Sequence, residues 1–107
     1  MLISYQTEII MPHENRLSDE NLDFLYEMIL TLESKEECHA FFYDLCTAPE
    51  LKSIAQRAVV AKMLDERHNY REIAEKTGAS TATISRVNRS LRYGEDGYRT
   101  VLDKMNK

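Results

Sequence analysis

An all-α fold follows from three features of the 107-residue sequence. It holds only three Gly and two Pro, too few turn-formers for a chain of short strands, while 30% of its residues are charged and 43% hydrophobic. Apolar residues recur at three- and four-residue spacings, the period of a helix face. Ser or Thr is followed three residues later by Glu at Ser34/Glu37 and Thr47/Glu50, and Asn69/Glu72 repeats the signal; these pairs mark helix starts. The sequence therefore predicts six helices in a single domain over residues 18–107, preceded by an arm at 1–17. Met11, Pro12 and His13 suggest that the first ten residues extend a chain that starts at Met11.

The first helix is expected from an N-cap at Ser18 to about Leu32, with Leu22, Leu25, Met28 or Ile29, and Leu32 on its stripe and Phe24 and Tyr26 widening it. So broad a stripe calls for a second surface. The second helix is short, with Cys38, Phe41, Phe42 and Leu45 on its apolar face. The third, about Ala48 to Glu66, is the longest. Its expected buried positions are Leu51, Ile54, Ala55, Ala58, Val59, Met63 and Leu64.

Tyr70 to Arg92, YREIAEKTGASTATISRVNRSLR, reads as two short helices around a corner at Gly78. Steeply crossed helices leave little room at the elbow, which suits Ala74 and Ala79, and Gly tolerates positive φ. Ile73, Ala74, Ile84 and Val87 would form the seam. The outer face of the second helix is then left with Thr81, Thr83, Ser85, Arg86, Arg89 and Arg92. Hydroxyls bond phosphates or base edges, Arg forks onto guanine, and Asn88 has the amide that reads adenine. That is the outline of a DNA-reading helix-turn-helix. A last helix is expected from about Tyr98, after a turn bracketed by Gly94 and Gly97.

Charge is distributed unevenly. Residues 1–50 hold eleven acids against two bases and residues 51–107 hold seven against twelve, so a net −9 and a net +5 sum to the chain's −4. Between Arg67 and Arg92 six basic residues face two acidic ones. A basic motif in an acidic chain points to a phosphate-bearing partner, and the acidic half to a different task, most simply subunit association.

Enzymatic chemistry finds no support: there is no Gly-rich phosphate loop, paired-carboxylate arrangement or nucleophile elbow. His13, His39 and His68 are dispersed, and Cys38 and Cys46 stand without a ligand cluster, so no metal is expected and the thiols should be reduced. The N-terminus lacks a signal-peptide pattern and no run reaches membrane-spanning length, which makes the cytoplasm the expected compartment. A rival reading is a helical protein–protein interaction module that binds no DNA.

LCTAPEL, IAQRAVVAKML and REIAEKTGASTATISRVNRSL, within Leu45 to Arg92, resemble the Trp repressor superfamily, and more closely its TrpR-related YerC/YecD-like branch. The resemblance implies a six-helix, intertwined homodimer offering one helix-turn-helix per subunit to a palindromic operator in double-stranded DNA. Half-sites would lie one duplex turn, about 34 Å, apart. It places Arg71 on the DNA backbone and Ala82 and Thr83 against bases. With the residue chemistry, Arg71, Lys76, Arg89 and Arg92 are expected on phosphates, and Thr81, Ala82, Thr83 and Arg86 on base edges or the groove floor. The family's ligand positions correspond to Thr47, Arg57, Arg86 and Ser90, so a small-molecule corepressor of unknown identity is a further expectation. Val87, however, stands where tryptophan-binding members carry Gly. Overpacking of about 1–3 kcal/mol there should exclude tryptophan.

Overall fold

The structure, a computed structural model, describes residues 20–107. Among them are six helices and no strand: α1 (Glu20–Ile29), α2 (Lys35–Leu45), α3 (Ala48–Asp65), α4 (Tyr70–Thr77), α5 (Thr81–Tyr93) and α6 (Gly97–Met105). The expected arm and the Ser18 cap lie outside the described residues. Two compact units are present, divided within α2 between Phe41 and Phe42.

In the first unit, α1 ends at Ile29 rather than Leu32. Thr31 and Leu32 donate to the carbonyls three residues back, closing a turn, and the Thr31 hydroxyl also donates to Met28 O at 2.7 Å. A Thr whose side chain takes up a nearby carbonyl competes with the continuing helix. At the start of α2, Ser34 Oγ accepts from Glu37 N at 3.1 Å, as expected of a cap. The reciprocal arm differs from the predicted box, because Glu37 accepts from Glu33 N, one residue upstream of Ser34. No residue of α1 or α2 is buried.

The second unit, residues 42–107, carries the core. Both arms of the predicted boxes form at Thr47/Glu50 and at Asn69/Glu72, where each capping side chain accepts from the Glu backbone N–H and each Glu accepts from the capping residue's own N–H. The interior consists of Val60, Ala61 and Leu64 from α3, Ile73 from α4, Ala79 from the corner, Ile84, Val87 and Leu91 from α5, and Leu102 from α6. Burying an aliphatic side chain of the Val or Leu size stabilises by about 1.5–3 kcal/mol.

The predicted buried face of α3 needs correcting. Leu64 is buried and Met63 packs against the core, but Ile54, Ala55, Ala58 and Val59 are exposed, and the face that meets α4 and α5 is Val60, Ala61 and Leu64. Apolar residues lie on all sides of this helix, so periodicity alone does not select which side the motif helices cover.

Two ties fix the C-terminal end of α3. The helix stops in a Schellman motif: His68 N donates to Met63 O and Arg67 N to Leu64 O, both at 3.0 Å, with Arg67 at φ 70° in the position that usually takes Gly. Arg99 on α6 reaches back to Asp65 Oδ1 at 2.6 Å, and its Nε lies 3.2 Å from Asp103. The Asp65 bond raises the Arg99 pKa further above its ordinary value.

Candidate nucleic-acid interface

The α4–α5 corner is held from three directions. Gly78 takes the left-handed conformation, φ 74°, and its N–H donates to Ala74 O. Thr77 Oγ1 donates to Ile73 O at 2.7 Å and accepts from Ala79 N at 3.1 Å, so one hydroxyl joins the end of α4 to the turn. Gln56 Nε2 on α3 donates to Thr77 O at 3.1 Å, which anchors the corner to the longest helix. Ser80 then caps α5, with its Oγ accepting from Thr83 N and donating to Thr83 Oγ1, both at 3.1 Å.

Sequence reasoning missed Gln56, Thr77 and Ser80. Ser80 begins an S-x-x-T rather than S-x-x-E pattern and so carries only half of a box signature. Gln56 and Thr77 are 21 residues apart, and no local pattern relates them.

The inner side of α5 is locked: Ile84 is 0% and Val87 2% exposed, against Ile73 at 0%. Ala74, the fourth expected seam residue, is partly buried against this cluster. The outer side presents Thr81, Ala82, Arg86, Arg89, Ser90 and Arg92 as exposed residues, with Thr83 and Ser85 half-buried. Among the described residues, Arg86 and Arg89 make no ion pair or hydrogen bond. Arg92 Nε donates to Asn88 Oδ1 at 3.3 Å, which occupies the amide oxygen that an adenine contact would require.

Arg71 lies 3.9 Å from Glu75 with both side chains mostly exposed, a pair worth little in water and readily given up. The N-terminal end of α5 adds the positive end of the helix dipole beside Thr81 and Ala82.

The five positions matched to a ligand pocket have separate fates. Thr47 caps α3, its Oγ1 accepting from Glu50 N, Arg57 Nη1 donates to Ser53 Oγ at 2.8 Å, and Val87 belongs to the interior. Arg86 and Ser90 are exposed. The carboxyls of Glu50 and Glu72 are held below the ordinary 4.5, each chiefly by the backbone N–H of its capping residue. His68 sits between Glu72, 3.3 Å from Nδ1, and Glu66, 3.6 Å from Nε2. Among the described residues no group of three His, Cys, Asp or Glu is arranged to hold a metal ion. None of the described helices is long and apolar enough to cross a membrane.

Six helices with a capped α4, a left-handed corner and a basic outer face on α5 define an all-α protein of Trp-repressor-like fold. Residues 20–106 match the family model for the Trp repressor protein. The chain is 50% identical over 93 residues to the uncharacterized protein YerC of Bacillus subtilis (strain 168), covering 87% of this chain and 89% of that protein. It is 34% identical over 86 residues to the Trp operon repressor homolog of Chlamydia caviae (strain ATCC VR-813 / DSM 19441 / 03DC25 / GPIC), covering 79% and 84%. A crystal structure of a TrpR-like protein from Eubacterium eligens ATCC 27750 superposes with a TM-score of 0.82 at 52% identity, over 86% of this chain and 95% of that one. The chain belongs to the Trp repressor family, a family of regulators rather than of enzymes.

Proposed function

We propose that the protein is a sequence-specific DNA-binding transcriptional regulator, a repressor, acting in the cytoplasm as a homodimer on a palindromic operator. The observation that carries this reading is the split character of α5. Its inner side is fixed in the core, while Arg86 and Arg89 stand outside without an intramolecular partner among the described residues. Such cations, on a helix that cannot rotate, are available to a polyanion.

In this reading α4 and α5 form a helix-turn-helix. Arg71, Lys76, Arg89 and Arg92 bind phosphates and set the register; Thr81, Ala82, Thr83 and Arg86 meet base edges, the small side chains allowing close approach to the groove floor. The second subunit is supported by apolar side chains left uncovered in one chain, among them Phe24 at 62%, Leu30 at 82%, Leu45 at 50% and Ile54 at 42% exposure. Repression is supported by the name of the Chlamydia caviae relative. Tryptophan is not the expected effector, because Val87 fills its position with core contacts.

Selection of bound fragments from a genomic library, followed by anisotropy titration at several salt concentrations, tests the proposal. The slope of log K against log salt should be steep, with about 0.9 for each phosphate neutralised. Arg89→Ala and Arg92→Ala should each weaken all duplexes. A flat salt response would count decisively against DNA binding, and variants that bind as the parent does would take Arg89 and Arg92 out of the contact surface.

A further inference from the structure

An open groove of about 460 Å³ runs between the N-terminal half of α3 and the end of α4, and its polar lining comes from Lys52, Ser53, Gln56, Lys76 and Thr77. No carboxylate lines it. The groove on the other side of Lys76 is different, since Glu72 and Glu75 both line it together with Met63 and His68. Among the described residues neither Lys52 nor Lys76 is held in an ion pair, in contrast to Lys62, which Glu66 holds at 3.0 Å.

We propose that this groove takes a phosphodiester of the DNA backbone between Lys52 and Lys76, which extends the contact surface beyond the α4–α5 pair onto α3. The proposal rests on the DNA-binding reading and adds to it a residue, Lys52, that lies outside the motif. Two observations favour an anion. Donors remain in its lining: Ser53 Oγ accepts from Arg57, which leaves its own O–H to donate, and Gln56 Nε2 uses one N–H on Thr77 O and keeps another. The same Gln56 bond ties the two walls together, so the helix segments that carry the lysines stay joined at the corner that starts α5.

Anisotropy titrations of the full chain against a selected operator and a scrambled duplex of equal length test this. Lys52→Gln should lower the salt slope by about 0.9 per subunit. It should weaken both duplexes by the same factor, leaving their ratio unchanged, because a phosphate contact carries no sequence information. Lys52→Arg should restore the slope. Lys62→Gln removes the same formal charge from α3 and should leave the slope unchanged. An unaltered slope in Lys52→Gln, or an equal loss in Lys62→Gln, overturns the proposal while DNA binding by the parent still stands. If the parent binds no duplex, the DNA-binding reading fails and this inference falls with it.

Discussion

Residues 20–41 and residues 42–107 are both helical and both supplied with large apolar side chains, yet only the second stretch buries any. Nine side chains form its interior, while Phe24 and Leu30 in the first are mostly exposed. The difference is one of partners. α5 is covered by α3, α4 and α6, whereas no residue of α1 or α2 is buried. An apolar stripe is a demand for a surface and does not by itself make a core. Short helices draw most of their stability from the face they bury, and residues 20–41 are where the proposed dimer would find uncovered apolar side chains.

The largest test of this contrast sets Ile84→Ala against Phe24→Ala. Ile84 is fully enclosed, and its truncation should destabilise by about 2–5 kcal/mol in urea unfolding at any protein concentration. Phe24→Ala should act mainly on association, lowering the melting temperature more as the protein is diluted. Equal, concentration-independent losses would mean that residues 20–41 have a covered core within one chain.

A smaller effect separates two of the three left-handed residues of the 42–107 unit, Gly78 and Arg67. A Cβ added at Gly78 would meet no other atom within 4 Å, so Gly78→Ala should cost only the conformational penalty, about 1–2 kcal/mol. Arg67 already bears that penalty, and Arg67→Gly should stabilise by up to about 1 kcal/mol. Thermal unfolding of the two variants should therefore move in opposite directions.

The smallest effect is acid lability at the helix starts. Folding lowers the Glu50 and Glu72 pKa values because protonation would forfeit bonds from Thr47 and Asn69. The unfolded chain takes up those protons first. The boxes thus contribute fully above the ordinary carboxylate value of 4.5 and less as pH falls below it. Melting curves between about pH 6 and about pH 3 should show this decline, and Glu50→Gln with Glu72→Gln should flatten it.

Much of this molecule was legible in its residues because the relevant physics is local. The capping boxes at Thr47 and Asn69, the corner at Gly78 and the inner placing of Ile73, Ile84 and Val87 depend on spacings of three or four residues, and all are present. The reciprocal arm at Ser34 was a near miss, displaced by one residue. Tertiary structure alone decided which side of α3 is buried, since Val60 and Val59 are equally apolar and only the position of α4 and α5 separates them. It likewise decided the Gln56 anchor and the Arg99–Asp65 tie, across 21 and 34 residues of chain. Periodicity reports that a helix has a face; what meets that face depends on residues too far along the chain for any local pattern to name.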